Sequence, residues 1–166
     1  MNDKFALKEL CKTCSHTSCC TGFDSPFLFE NDVKNLIKIG KSKFIEEIKV
    51  ANLKVKSIKK KPDSTNCVFW DEVKKTCEIY ENRPFDCRMF PFDIMKVKGE
   101  IVWILFSCNS ESNWEWTEEH LKKLEEDPNF QVIMKNMDIF QHTLETEFSK
   151  EHHLPYTVLR KVNCKR

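Results

Sequence analysis

Nine cysteines are the residues of this 166-residue sequence whose type and spacing could do chemistry. Four lie within ten residues, in CKTCSHTSCC at 11–20, and three more are evenly spaced in a second block, CVFWDEVKKTCEIYENRPFDC at 67–87. Such thiols could form disulfides, hold a metal or act as redox catalysts. Thiolates are preferred ligands of Zn2+ and of iron–sulfur clusters, and four of them complete a tetrahedral site.

The rest of the composition favours metal over disulfides. The N-terminus lacks the apolar run of a secretory signal, and the longest purely apolar stretch, IVWILF at 101–106, is too short to cross a bilayer. We therefore expect a cytoplasmic protein, in which clustered cysteines are more often metal ligands or catalysts than disulfides. An odd number of cysteines also fits a fully paired framework poorly.

Charge and glycine content argue against two classes of ligand. Lys and Arg total 27 and Asp and Glu total 26, a balance that does not indicate a nucleic-acid surface. The lysines that precede Pro62 are accordingly interpreted as a solvated surface. Only three glycines are present, so a glycine-rich phosphate loop is not expected. We expect no nucleic-acid or membrane partner and leave a protein partner open.

The spacing of apolar residues predicts an α+β fold, in which short strands and loops carry the cysteines and helices flank them. At 40% hydrophobic residues, the chain is long enough for one domain with a core, over 1–166. In its first half, the patterns predict a helix over 30–40 ending at Gly40, a second helix over 41–53, a strand and loop over 54–63, and a hairpin over 67–80.

The second half is predicted to contain one more hairpin and then helices. The hairpin spans 93–107 and turns at Lys98-Gly99. A helix follows over 116–127, with Thr117 as its N-cap, and a longer one begins at Asp127-Pro128, where proline suits the first helical position. These two helices make up a helical C-terminal part over 116–150, whereas the motif region spans 11–92.

The cysteine blocks supply the predicted metal ligands. A C-x2-C turn can direct both sulfurs at one centre, whereas adjacent cysteines diverge and suit two centres or a polynuclear cluster. Eight cysteines divide into two sites of four, and a single site with extra thiols stays open. His16 is a further candidate ligand, and Cys164 is predicted to be a loose thiol near the chain end. The predicted ligands are Cys11, Cys14, Cys19, Cys20, Cys67, Cys77, Cys87 and Cys108.

Two arginines flank the last cysteine of the second block. ENRPFDCRMFPF at 81–92 predicts a short helix with Pro84 at its first position and Asp86 in its first turn. Four thiolates around Zn2+ carry net negative charge, which guanidinium groups can offset while donating hydrogen bonds to sulfur. Arg83 and Arg88 are therefore predicted to help bind the cofactor, with ordinary surface ion pairs as the alternative.

The cysteine pattern resembles the YkgJ-type cysteine-cluster family, a zinc- or iron-chelating domain with the signature C-x2-C-x2-CC. The most specific likeness is CEIYENRPFDCRMFP at 77–91, and the likeness covers 11–92. Four residues, SHTS at 15–18, precede the paired cysteines here, whereas the signature has two. The resemblance implies an iron–sulfur cluster, such as 4Fe–4S, or Zn2+. It also implies a link to flagellin lysine methylases, which carry a similar cysteine domain and use S-adenosylmethionine.

Three functions remain open at this point. The chain could hold an iron–sulfur cluster or another metal for electron transfer or cluster handling. It could be a structural zinc module that organises a protein interaction surface. It could also be an enzyme of protein modification or thiol exchange, although a glycine-rich methyltransferase loop is not found and a family likeness does not fix a chemistry. Catalytic residues stay unassigned.

Overall fold

The computed structural model describes residues 18–22, 25–50, 53–106, 115–137 and 156–163, with only the backbone at 18 and 19. Contacts divide the chain into two compact units. One is Cys14–Phe90, and the other contains the described residues from Pro91 onward. Each unit combines helices with antiparallel strands, so the α+β class is confirmed. The single-domain organisation stays a prediction.

The first unit contains two small antiparallel sheets, one formed by β1 and β2 and the other by β3 and β4. In chain order its elements are α1 (Ser18–Thr21), α2 (Glu30–Lys38), a 3-10 turn (Ser42–Phe44), β1 (Ile45–Val50), β2 (Leu53–Ile58), β3 (Trp70–Asp71), β4 (Thr76–Cys77), a second 3-10 turn (Tyr80–Asn82) and α3 (Phe85–Met89).

The helix predicted over 30–40 is confirmed as α2. Acidic residues in its first turn and Lys38 in its last complement the helix dipole. Leu36 is buried on one side of it, whereas Ile37 is exposed on the other. Gly40 has a φ of +71°, the left-handed conformation in which glycine commonly follows a helix end.

The helix predicted over 41–53 is wrong. After the 3-10 turn the chain forms β1, which pairs with β2 in a register that sets Ile48 opposite Val55. β-branched residues at 45, 48 and 50 suit a pleated surface, and the alternating pattern of β2 provides the partner strand. The pairing outweighs a local helix preference worth only tenths of a kcal/mol per residue, roughly. The strand predicted after residue 54 is confirmed within β2.

The core of the first unit joins α2 to the segments that carry cysteines. The half-buried Cys67 and Cys77 pack against this cluster, as do Phe44 and Val68. The predicted hairpin over 67–80 is present, but its strands have only two residues each, with Trp70 opposite Cys77. The fully buried members of the cluster are Leu36, Ile58, Phe69 and Ile79.

The described residues of the second unit form a three-stranded antiparallel sheet in the order β5–β6–β7 and the two helices α4 and α5. The predicted hairpin is confirmed: Lys98 and Gly99 join β5 to β6, and both have positive φ, as a two-residue hairpin turn of type I′ requires. The third strand, β7, was not predicted. The elements are β5 (Phe92–Val97), β6 (Glu100–Phe106), α4 (Thr117–Glu126), α5 (Pro128–Lys135) and β7 (Tyr156–Lys161).

Both helices begin near the predicted positions. Trp116 is the N-cap of α4, one residue before the predicted Thr117. Asp127 caps α5 by accepting a hydrogen bond from the Asn129 N–H at 2.9 Å, with Pro128 at the first helical position as predicted. The continuous long helix predicted from residue 128 is wrong: α5 ends at Lys135, and Asn136 is its C-cap, with its side-chain amide donating to the Val132 carbonyl at 2.8 Å. The rest of the predicted helical part, over 138–150, lies outside the described residues. No helix in the described segments is long and apolar enough to cross a membrane.

Glu125 joins α4 to the sheet of the second unit. Its side chain is 8% exposed and lies 2.7 Å from the Arg160 guanidinium of β7. It also accepts hydrogen bonds from the Trp103 Nε1–H at 2.8 Å and from the Asn163 N–H at 3.0 Å. Burial alone would raise the pKa of Glu125, but these donors outweigh it and hold the pKa below its usual value.

We expect Glu125→Gln to destabilise the second unit by about 2 kcal/mol, because Arg160 loses the more buried of its two carboxylate partners and keeps only the exposed Glu118. A carboxyl with a lowered pKa stabilises the fold above its unfolded-state pKa, and the contribution is lost as pH falls through the folded-state value. The free energy of unfolding, measured with urea between pH 7 and pH 3, should therefore fall less steeply with falling pH in the variant than in the wild type. Glu119→Gln, at an exposed residue of α4, should change stability by less than about 0.5 kcal/mol. Equal effects of the two changes would contradict this role of Glu125.

Candidate metal centre

Four cysteines of the first unit lie within electrostatic range of one another. Charge on Cys20 raises the pKa of each of the other three thiols, at Cys67, Cys77 and Cys87. Charge on Cys67 likewise raises the pKa of Cys77 and Cys87. The structure therefore brings together one cysteine of the first block and all three of the second block.

Hydrogen bonds from the segment after β2 fix the end of α1 beside Cys67. The Cys67 N–H donates to the Cys20 carbonyl at 2.7 Å. The Thr65 hydroxyl donates to the Thr21 carbonyl at 2.8 Å, and the Lys60 ammonium donates to the Gly22 carbonyl at 2.7 Å. Carbonyls at a helix end need such partners, so the short α1 is held by residues about 40 positions further along the chain.

Cys67 and Cys77 have the same local geometry. The backbone N–H two residues further on donates to each sulfur, from Phe69 to Cys67 and from Ile79 to Cys77. Each donor favours the thiolate over the thiol, since it lowers the pKa of its cysteine. Hydrogen bonds to sulfur of this kind orient thiolate ligands and tune the metal that they hold.

Two aspartates position the short helix that carries Cys87. Asp32, buried in the first turn of α2, accepts from the Phe85 N–H at 3.0 Å and from the Phe29 N–H at 3.1 Å. Asp86 accepts from the Phe27 N–H at 2.9 Å. These bonds tie α3 to α2 and to the segment before it. Asp86 lies in the first turn of α3 as predicted, whereas Pro84 is the N-cap instead of the first helical residue.

Burial is the main reason that the thiols resist ionisation. It raises the pKa of Cys67, raises the pKa of Cys77 to about 12 and raises the pKa of Cys87 well above its usual value. Lys60 and Lys61 lower the pKa of Cys67 but do not offset burial. The Cys67, Cys77 and Cys87 thiols, which are free, are therefore protonated and neutral at pH 7.

The two predicted arginines have different surroundings. The Arg83 guanidinium lies 3.7 Å from the centre of the Tyr80 ring, and its Nε–H donates to the Tyr80 carbonyl at 3.1 Å. Its charge lowers the pKa of Cys77 and Cys87. The Arg88 guanidinium lies 5.3 Å from the centre of the Phe85 ring. Arg83 thus places positive charge near two of the thiols.

The donor chemistry of this group fits a metal held by thiolates. It combines four thiols with hydrogen bonds to two of the sulfurs and with nearby positive charge. Within the described part of the chain, no three His, Cys, Asp or Glu side chains are arranged to hold a metal ion. A thiol binds metal as the thiolate, so metal binding to this group would release protons. Cys11, Cys14, Cys108, His16 and Cys164 lie outside the described residues, as does the Cys19 side chain.

The comparison with protein families agrees with this chemistry. A family model named CxxCxxCC, with the description "Putative zinc- or iron-chelating domain", matches residues 10–120. The chain belongs to the CxxCxxCC family. The match confirms the resemblance predicted from residues 11–92, extends it to residue 120 and includes all eight predicted ligands. No curated protein and no solved structure matches the chain significantly.

Two features of the CxxCxxCC site were missed in the sequence. Lys60 and Lys61 were interpreted as a solvated surface, yet both act on Cys67, because Lys60 pairs with Cys67 in an isolated β-bridge. The sequence predicts no role for Asp32. The position of two lysines a few residues before a cysteine could have indicated that Lys60 and Lys61 act on Cys67. No local signal indicates that Asp32 reaches α3, because the two are 53 residues apart.

We expect Asp32→Asn to destabilise the metal-free CxxCxxCC protein by about 2 kcal/mol, because a neutral amide oxygen replaces a carboxylate that accepts two backbone N–H groups. Chemical unfolding with a chelator present measures the change. Asp63→Asn is the matched control, since Asp63 is exposed and asparagine tolerates its positive φ of 54°. A loss of stability no larger than the control's would refute the tie between α2 and α3.

Proposed function

We propose that this CxxCxxCC protein holds an iron–sulfur cluster through clustered cysteine thiolates and acts in electron transfer or in metal or cluster handling. Zn2+ is the alternative occupant. The observation that carries the proposal is that the first cysteine block meets the second: the Cys67 N–H donates to the Cys20 carbonyl at 2.7 Å, and Cys20 lies within electrostatic range of Cys67, Cys77 and Cys87. A reducing cytoplasm would keep these thiols available for metal.

The electrostatics of the group support a cationic occupant. Four thiolates and Zn2+ together carry a net charge of about −2 by formal charge. Arg83, Lys60 and Lys61 supply positive charge beside the sulfurs, which lessens the cost of that negative charge. A metal or cluster would favour the thiolates in a site where burial otherwise keeps them protonated.

The number of cysteines favours a cluster over a single zinc ion. Cys11, Cys14, Cys19 and Cys108 remain proposed ligands in addition to the four thiols of the described group. Cysteines adjacent in sequence rarely converge on a single small ion, so Cys19 and Cys20 are proposed to serve separate iron atoms or separate centres. The N–H donors to Cys67 and Cys77 would also help set a reduction potential.

A structural zinc role is the second candidate, and packing favours it. Cys67 and Cys77 contact the core cluster around Leu36 and Phe69, so a metal held by them would contribute directly to the stability of the first unit. A purely structural ion would leave the protein colourless and would make its unfolding depend on chelator.

Anaerobic purification followed by metal and sulfide analysis tests the proposal. We expect iron and acid-labile sulfide in simple ratio to protein and charge-transfer absorption in the visible. Cys77→Ser should lose most of the bound metal, because it removes a ligand with a preformed N–H donor. Cys164→Ser should keep the metal, since that thiol is predicted to be loose. Each measurement uses the full-length protein, and thermal unfolding checks that both variants fold.

The outcomes separate the two candidates. Stoichiometric zinc without iron, combined with unfolding on chelation, would replace the cluster with the structural zinc module. Wild-type protein that binds neither iron nor zinc would end the proposal. Retention of full metal content by Cys77→Ser would remove that cysteine from the ligand set.

Arg83→Gln should weaken metal binding about tenfold, in the range typical of residues that support a metal ligand without touching the metal. The loss of its positive charge makes ionised Cys77 and Cys87 less favourable. Arg83→Lys should recover part of the affinity, because it keeps the charge but not the Nε–H bond to Tyr80. Competition with a metal chelator measures the affinities. Lys38→Gln, an equal loss of charge on the exposed end of α2, is the control, and an equal effect there would indicate general electrostatics.

A further inference from the structure

Within the described part of the chain, the outer edge of β1 is open. β1 and β2 form a two-stranded sheet. The other edge of that sheet is joined by the chain before α2, where the Leu28 N–H donates to the Lys56 carbonyl at 2.9 Å. Among the residues that the structure describes, no strand other than β2 pairs with β1. A strand edge of this kind can accept another strand.

The backbone groups at this edge belong to Glu47 and Lys49. The Lys56 carbonyl points away from β1, so Lys56 and Glu47, which lie opposite each other, form a pair without mutual hydrogen bonds. Because successive residues of a strand alternate, the N–H and C=O of Glu47 and Lys49 point to the open edge. The Lys59 N–H donates to the Phe44 carbonyl at 2.9 Å, so the carbonyl of Phe44 points towards β2. Counting in steps of two from Phe44 leads to the same assignment, in which Glu47 and Lys49 point to the open edge.

The opposite charges of Glu47 and Lys49 allow this edge to complement the same edge of a second copy. Two copies of β1 related by a two-fold axis can pair antiparallel only in registers that set edge-facing residues opposite each other. Centring on residue 47 sets Glu47 opposite Glu47, and centring on residue 49 sets Lys49 opposite Lys49. Centring on residue 48 instead sets Glu47 of each copy opposite Lys49 of the other, twice. Opposite charges stabilise such cross-strand pairs, and like charges destabilise them.

The register centred on residue 48 also aligns apolar side chains. Ile48 of one copy would face Ile48 of the other, and within each copy Ile48 already lies opposite Val55. One face of the joined sheet would then have a row of four β-branched side chains. Ile48 and Val55 are only half-buried in the single chain, and Leu53 at the hairpin end is 41% exposed. Burial of such residues favours association.

We propose that β1 pairs with β1 of a second copy of this chain and forms a four-stranded antiparallel sheet across a two-fold axis. Charged residues on an edge strand usually discourage pairing, but here their alternation selects one register. Two six-residue strands make a small interface, so the dimer is weak and its population depends on concentration. The proposal is independent of which metal the protein binds.

A charge exchange tests the pairing. Analytical ultracentrifugation over a concentration series uses the full chain as purified anaerobically, with a thiol reductant to prevent disulfide-linked dimers. Glu47→Lys and Lys49→Glu each place like charges opposite each other twice and should weaken the dimer about tenfold or more. The double variant E47K/K49E restores two opposite pairs and should restore the dimer. Glu119→Lys, with the same charge change as Glu47→Lys but in the second unit, should leave it unchanged.

Amide hydrogen exchange locates the contact. The amides of Glu47 and Lys49 should become protected as concentration rises, whereas those of Ile48 and Val50, already bonded to β2, should be protected throughout. If Glu47→Lys fails to fold, the Lys49→Glu variant and the hydrogen-exchange pattern still show whether the two β1 strands pair. A wild-type monomer at every concentration, a dimer insensitive to the single changes, or a dimer that the double variant does not restore would overturn the proposal. Metal content should be equal in all these variants, which separates this result from the test of metal binding.

Discussion

Four thiols gathered in a partly buried site cannot all carry charge unless a cation joins them. Burial, together with the charge of the neighbouring Cys20 and Cys67 sulfurs, raises the pKa of Cys77 to about 12. Lys60, Lys61 and Arg83 reduce this penalty without removing it. The group is therefore a neutral cluster of thiols that a metal can convert into thiolates, and membership of a family described as chelating zinc or iron agrees with that chemistry.

The thiols come from distant parts of the chain, so their proximity is a property of the folded unit. Cys20 is held to Cys67 by a backbone hydrogen bond, and α3 with Cys87 is held to α2 through Asp32. None of these ties lies within one element. Loosening the core around Leu36 would consequently separate the sulfurs, and a metal that binds all of them would in turn stabilise the core. Folding and metal affinity are expected to change together.

The sequence was informative where chemistry or turn geometry is local. The spacing of the cysteines indicated a group of thiols, which the structure contains in part. Lys98-Gly99 indicated a hairpin turn, and Asp127-Pro128 indicated the start of a helix. The sequence was uninformative where contacts between distant segments determine the structure. β7 pairs with β6 across 50 to 59 residues of sequence, and Asp32 reaches Phe85 across 53. The two-residue strands β3 and β4 were predicted too long, because β-prone side chains near them are buried in the core instead of extending the ladder.

The formation of β1 where a helix was predicted over 41–53 changes how Glu47 and Lys49 can meet a partner strand. In a helix, Glu47 and Lys49 would lie about 200° apart around the axis and could not act on one partner together. In a strand they lie on the same face, and both direct their backbone groups to the same edge. Pairing with β2, which overrides the helical spacing of apolar residues, therefore also converts a scattered charge pattern into a row of alternating sign. Such a row can discriminate between registers of an approaching strand, which backbone hydrogen bonds alone cannot do.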